Sequence, residues 1–284
     1  MSKIKAHLDN IVLSHAIFAL PFAYIGAILA SGGIPTGKEL FWITLAMVGA
    51  RSAAMALNNL IDLKYDKLQP RFANRPMVTG AVKPREALLV TVASLGLFVG
   101  AAANLHPLCL QLAPLAMIPL VIYPYMKRFS WMCHLVLGLA LSAAPIGAWV
   151  AVRGDITMPI VLLGIAVGLW IAGFDAIYGC QDFDFDKKHG LHSMPVHFGI
   201  KRTLRMSKGF HVVSIIGFFA VGQLMNMQGI YYAGVVFAAI VLIYQHSIVS
   251  PTDFRLVTQK YFMRNGLVSI ALLLFTVMSI FVKS

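Results

Sequence analysis

Six of the eleven acidic residues stand in two short runs, spaced as side chains that act together. In the first run Asn58, Asp62 and Asp66 recur every four residues, an advance of about 400° on a helix, so their oxygens share one face with a slow drift. Arg51, seven positions before Asn58, joins that face. In the second run, steps of seven and four place Asp175, Asp182 and Asp186 together, while Asp184 points elsewhere. Crowded carboxylates repel one another, and a role in the fold alone offers nothing to offset that repulsion. Cations must be present. Hard oxygen donors of this kind suit Mg²⁺, which takes one or two carboxylates and completes its shell with water and phosphate oxygens.

A phosphate group needs fixed positive donors as well, and Arg71, Arg75, Lys127, Lys187 and Lys188 supply candidates. Arginine offers a planar fork to phosphate oxygens and lysine a point charge. Tyr123 and Lys127 are one helical turn apart and could together hold a departing diphosphate. Arg51 lies within an apolar run, where an unpaired cation costs roughly 3 kcal/mol or more, so it reaches an anion, a carboxylate such as Asp62, or a polar cavity. Of the nine histidines, His106, His134, His211 and His246 form no ligand pattern and read as interfacial or packed. Cys109, Cys133 and Cys180 show no metal or disulfide spacing and read as small buried hydrophobes.

The elements that position these residues are membrane helices. Hydrophobic residues make up 59% of the 284 positions and charged residues only 12%, about half the charged fraction of an ordinary soluble domain, roughly 25%. Nine apolar runs are long enough to cross a bilayer core of about 30 Å: 11–31, 40–61, 88–105, 108–126, 134–152, 158–180, 210–226, 230–249 and 267–282. The first shows no cleavage pattern and reads as a retained helix. With the N-terminus inside, 19 of the 23 Lys and Arg residues fall in inner segments, and only Lys38, Arg153 and Lys283 fall outside. That asymmetry fits a cytoplasmic membrane protein with its N-terminus in the cytoplasm. It also explains the net charge of +12 without nucleic acid; some basic runs meet lipid headgroups instead.

Both long connections, 62–87 with the first acidic run and 181–209 with the second, lie on the inner side. They resemble each other. Asp62 and Asp66 precede Asp182 and Asp186 by 120 positions, and Pro76 and Gly80 precede Pro195 and Gly199 by 119. Four helices separate the copies, so they run the same way through the membrane as a parallel repeat, with one site between them.

Taken in order, Arg51, Asn58, Asp62, Asp66, the Asn74-Arg75-Pro76 run with Gly80, Tyr123, Lys127, Asp175, Tyr178, Asp182, Asp184 and Asp186 resemble the motifs of the UbiA superfamily of intramembrane aromatic prenyltransferases. Several spaced motifs in one order are specific where each alone is weak. The resemblance covers the chain from first helix to last and implies an all-α integral membrane bundle of about nine transmembrane helices, one domain over 1–284. It further implies Mg²⁺ held by Asn58, Asp62, Asp66, Asp182 and Asp186, and diphosphate contacts from Tyr123 and Lys127, to which the charge reading adds Arg71, Arg75 and Lys187. Arg51, His15 and Tyr178 are placed at the aromatic acceptor, and Asp175, Asp182 or the released diphosphate takes the ring proton.

The implied activity is transfer of a polyprenyl group from its diphosphate to an aromatic hydroxy acid in quinone biosynthesis, with the active site on the cytoplasmic side. Trp170, Phe174 and Tyr178 could face a carbocation, though packing is the stronger explanation for them. The wording around His15, Pro21 and Gly190 to Pro195 is more similar to the menaquinone-type branch than to the 4-hydroxybenzoate branch, and Ser14-His15-Ala16 and His192 depart from the latter. A secondary transporter is the rival from another class, but its carboxylates would lie near mid-membrane. These lie at inner helix ends.

Overall fold

The computed structural model describes residues 3–11, 16–252, 254 and 262–283. Among them, the regular elements are helices: α1 (Lys3–Ile11), α2 (Ala16–Ser31), α3 (Gly37–Asp66), α4 (Pro84–Ala103), α5 (Pro107–Met126), α6 (Cys133–Arg153), α7 (Met158–Gly179), α8 (Phe183–Lys188), α9 (Met194–Phe198), α10 (Ile200–Leu224), α11 (Gly229–Ser247) and α12 (Phe262–Lys283). Eight segments are long and apolar enough to cross a membrane, and a shorter apolar helix covers Ala19–Ser31. The expected span 11–31 therefore maps to α2 preceded by positions 12–15, which lie outside the described residues, as does His15.

Helix ends are set by local chemistry. Thr36 caps α3 reciprocally with Glu39, its hydroxyl accepting from the Glu39 amide while the Glu39 carboxylate accepts from the Thr36 N–H. Pro84, Pro107 and Met158-Pro159 open their helices, where a missing N–H costs nothing. At the C-terminal end of α6, Gly154 adopts the left-handed conformation that stops the helix.

The two acid-bearing helices are the longest. α3 has 30 residues, and α7 continues through a tight 3-10 turn at Cys180–Asp182 into α8, giving 31 from Met158 to Lys188. At 1.5 Å per residue each reaches about 45 Å, so its last turns stand clear of a hydrocarbon core of roughly 30 Å. The connections read as 62–87 and 181–209 are correspondingly shorter: Asp62 and Asp66 are helical, and α10 begins at Ile200 rather than 210. The basic residues Lys201, Arg202, Arg205 and Lys208 hid that start, because they lower hydropathy without breaking a helix that extends past the lipid.

The core lies among α2, α6, α7, α10, α11 and α12, around the fully buried Trp149, Trp170, Phe22 and Phe218. Small residues bring backbones close. A Cβ on Gly138 would lie 2.2 Å from the Gly168 carbonyl oxygen, and one on Gly26 would lie 2.3 Å from that of Pro145. Large apolar side chains such as Leu89, Leu115, Val212 and Ile243 face outward, as lipid solvation requires.

The repeat is visible in the packing: α3 lies on α4 as α7 lies on α10, and α5 on α6 as α11 on α12. Gly80 and Gly199, the matched glycines, share a φ of +80° and +78°, a conformation that other residues rarely adopt.

Candidate active site

Alternating helix directions bring the C-terminal ends of α3, α5 and α7 to one end of the bundle, with the start of α6 beside them. There, a chamber of about 910 Å³, mouth included, is lined by Asn58, Asp62 and Asp66 from α3 and by Asp175, Tyr178, Asp182 and Asp186 from α7 and α8; Tyr123, Lys127, Arg71 and Arg75 also reach it. The two acidic runs, some 120 residues apart, face one space.

Four of the chamber acids meet a basic partner each. An Arg71 NH2 group donates to Asp182 Oδ2 at 2.9 Å, and Arg75 NH1 donates to Asp66 Oδ2 at 2.5 Å. Lys127 Nζ lies 3.6 Å from Asp186 Oδ2, and an Arg128 NH2 group lies 3.4 Å from Asp62 Oδ1 while donating to the Ile61 carbonyl at 2.8 Å. Gln69 adds a bond to Asp182 Oδ1 at 2.5 Å, and Asn58 Nδ2 donates to Asp62 Oδ2 at 2.9 Å. Burial opposes the charge on Lys127, but the carboxylates of Asp186 and Asp182 outweigh it and hold its pKa above the ordinary lysine value.

Aromatic faces brace these cations. Arg75 lies 3.6 Å over the Phe72 ring, and Arg71 lies between Phe72 at 4.6 Å and Tyr178 at 5.0 Å. Asn59, also buried, ties the group to α1: its amide donates to the Asn10 carbonyl at 2.7 Å, and its oxygen accepts from Arg75 at 3.4 Å.

A second cavity, about 940 Å³ with its opening, lies deeper between α2, α3, α4, α5 and α6. Its walls are apolar and rich in alanine, with Arg51 the charged residue among them. Arg51 thus sits about 10 Å along α3 from Asn58, seven residues at 1.5 Å each, and its Nε is buried without a hydrogen-bond partner. Arg51 lies on α3 with Asn58, Asp62 and Asp66, but its side chain lines the deeper cavity and not the chamber. Both cavities draw on α3, α5 and α6, with Leu120 and Ala140 below and Tyr123 and Leu137 above.

Not every expected residue reaches the chamber. Lys187 is exposed, its ammonium 5.7 Å over the Phe183 ring, because it is turned about 100° from Asp186 on α8. Asp184 is exposed, as its spacing implied. Trp170 is fully buried in the core, and Phe174 packs against the Ile177 cluster.

Sequence reasoning passed over Arg128, Gln69, Asn59 and His134. Arg128 adjoins Lys127 at the end of α5, and that pair of bases at a helix end is the signal that could have found it. His134 was read as packed, yet its Nδ1 lies 2.6 Å from Asp175 Oδ2. Nothing in local spacing joins residues 41 apart.

The donor set suits a hard cation in chemistry: carboxylates and an amide oxygen around one space, with Asp186 Oδ2 buried and lacking a hydrogen bond. Among the described residues, no three acids, histidines or cysteines stand close enough to grip an ion as they are. The ion pairs explain this, since each carboxylate is turned toward its own base.

An all-helical membrane bundle, with two acid-bearing helices facing across one chamber of paired charges, is the class that fold and site define. The UbiA prenyltransferase family pattern matches residues 19–267, and the chain belongs to that family. It is accordingly a prenyltransferase, which sets the transporter alternative aside.

Among its relatives is a 4-hydroxybenzoate octaprenyltransferase of Edwardsiella ictaluri, 30% identical over 247 residues, 87% of this chain and 85% of the relative. The apo structure of a UbiA homolog from Aeropyrum pernix K1 superposes with a TM-score of 0.81 at 33% identity, covering 95% of this chain and 98% of that one. A UbiA homolog from Archaeoglobus fulgidus, described as bound to DMAPP and Mg²⁺, shares the fold at a TM-score of 0.76 and 22% identity, covering 97% and 99%.

Proposed function

We propose that this prenyltransferase moves a polyprenyl group from its diphosphate to a ring carbon of an aromatic hydroxy acid, with Mg²⁺ as cofactor, at the cytoplasmic face of the membrane. The observation that carries this reading is the stacking of two unlike cavities along α3, α5 and α6: charged above, apolar below, with Arg51 between lipid-like walls. A diphosphate belongs in the first and a carbon chain in the second. The reacting allylic carbon then lies at the passage between them. Arg51, buried with an unused donor, matches an acceptor carboxylate, and Tyr178 flanks the chamber.

Asn58, Asp62, Asp66, Asp182 and Asp186 would hold Mg²⁺, which supplies charge neutralisation to a departing diphosphate. Arg71, Arg75, Lys127 and Arg128 would turn from their carboxylates to phosphate oxygens, fixed donors aimed where negative charge accumulates. Tyr123 lines the same wall as Lys127 and would donate its hydroxyl to the leaving group. Asp175, seven residues deeper on α7 than Asp182, stands nearest the level of the acceptor and would take the ring proton. Membrane helices around the chamber keep water from the allylic cation.

Both 4-hydroxybenzoate, named in the relatives, and a hydroxynaphthoate, toward which the sequence around Gly190 to Pro195 leans, offer the phenol and carboxylate that this site can recognise. The test is purified protein in lipid nanodiscs with labelled polyprenyl diphosphate, Mg²⁺ and a panel of hydroxybenzoates and hydroxynaphthoates. Prenylated product with at least one acceptor, abolished by EDTA, supports the reading. Absence of product with every acceptor, or product formation indifferent to EDTA, refutes it.

A further inference from the structure

Five carboxylates line the polar chamber, and four of them pair with Arg or Lys. Asp175 differs. Its partner is an imidazole, His134 Nδ1 at 2.6 Å from Oδ2, on the first turn of α6. The histidine side chain is 1% exposed, whereas that of Asp175 keeps 29% of its surface open toward the chamber.

The ring is built into the packing. A Cβ on Gly179, one turn beyond Asp175 on α7, would lie 2.8 Å from His134 Cε1 and 3.3 Å from Nε2, so α7 leaves out a side chain where the imidazole sits. The flexible bases can swing from carboxylate to phosphate; a buried, wedged imidazole cannot. The pair at Asp175 is therefore a fixed one. It also stands about 10 Å deeper than Asp182 along the helix, away from the acids suited to a metal and toward the cavity that holds Arg51.

We infer that His134 is a positioning residue: it holds one oxygen of Asp175 so that the other receives the proton of the acceptor ring, a role that rests on the prenyl-transfer reading. An ionised carboxylate only accepts hydrogen bonds, so Nδ1 carries the proton and donates it to Oδ2. Nε2 is buried without a hydrogen-bond partner. In the step it serves, the allylic C–O bond breaks and diphosphate leaves with the electron pair. The ring carbon forms its bond to the allylic carbon, the C–H pair returns to the ring, and the proton passes to the free oxygen of Asp175.

The test compares His134→Leu, which removes the donor, with His134→Asn, which keeps an N–H near the Nδ1 position, using acceptor deuterated at the attacked carbon. For H134L, kcat is expected to fall about 10- to 100-fold, part of the roughly 10²- to 10⁴-fold contribution of a positioned base. Its KM for the polyprenyl diphosphate stays within about twofold. Deprotonation becomes slow, so a primary deuterium isotope effect absent from the wild type emerges, and the acid limb of kcat moves to higher pH. H134N recovers most of kcat and loses the isotope effect. If H134L does not fold, His134→Met takes its place.

Wild-type turnover with an unchanged isotope effect and pH profile in the donor-less variant overturns the inference alone. So does a loss of activity that H134N fails to recover. A wild-type protein that transfers no prenyl group overturns the underlying reading instead.

Discussion

The paired charges of the chamber make a quantitative demand on cofactor binding. For Mg²⁺ to enter alone, two carboxylates must release their bases, for example Asp66 from Arg75 and Asp182 from Arg71. A charge-assisted hydrogen bond contributes about 1.5–3 kcal/mol. Two of them, part-shielded from water, oppose lone Mg²⁺ by about 3–6 kcal/mol, or two to four decades of affinity at roughly 1.4 kcal/mol per decade. When a diphosphate enters with the metal, the freed guanidinium groups turn to its oxygens and most of that cost is recovered. Mg²⁺ and diphosphate therefore bind as mutual effectors, each raising the other's affinity by the same factor. Isothermal calorimetry in nanodiscs, titrating Mg²⁺ with and without a non-reactive prenyl thiolodiphosphate, measures that factor directly. At least a 100-fold gain is expected, and Arg75→Ala should tighten the binding of Mg²⁺ alone by freeing Asp66. Mg²⁺ affinity within about threefold in the two titrations would refute this reasoning.

Asp62→Ala and Asp182→Ala should each lower kcat by about 10³-fold or more while the protein still elutes as a folded species, because each removes a metal donor on which transition-state charge depends; labelled-substrate turnover checks this. Arg51→Leu should raise the KM for the aromatic acid at least tenfold and leave that for the prenyl diphosphate near its wild-type value, measured by varying each substrate in turn. Lys127 has a raised pKa, so its contribution to stability is complete below the unfolded value near 10.4 and is lost only as pH rises through the folded value. No alkaline fall in diphosphate binding below about pH 10 should then trace to it, and Lys127→Arg should show the same limb as wild type. Gly138→Ala should cost about 2–3 kcal/mol or more, because the new Cβ meets Gly168 backbone at 2.2 Å, and lower the melting midpoint by roughly 5–10 °C. Gly96→Ala, with open space around it, should leave the melt unchanged or slightly raised.

The sequence carried the helices and the acid clusters because both are periodic. A hydrocarbon solvent forces long apolar runs, and steps of four and seven put Asn58, Asp62 and Asp66, and likewise Asp175, Asp182 and Asp186, on one wall. The shared insertion of Pro76 with Gly80 and Pro195 with Gly199 announced the repeat, down to the matched positive φ. Helix ends were less legible: α10 starts ten residues early because a basic surface turn looks like a loop to hydropathy. Partners brought together by tertiary packing left no local mark. His134 and Asp175 meet only because α6 lies on α7 with Gly179 giving room, and Arg128 reaches Asp62 across 66 positions of chain. Arg51 lines the deeper cavity and not the chamber, because spacing does not set the direction of a long side chain.

The central claim is that the acids of α3 and those of α7 and α8 serve one shared metal and diphosphate site. Crystals grown with Mn²⁺ and a prenyl thiolodiphosphate would test it through anomalous scattering. Mn²⁺ peaks are expected in the chamber, within ligand distance of Asp62 or Asp66 on one side and Asp182 or Asp186 on the other, with the diphosphate between them and Arg71 and Arg75 turned onto it. Peaks confined to one acidic run, or a diphosphate bound away from both, would contradict it.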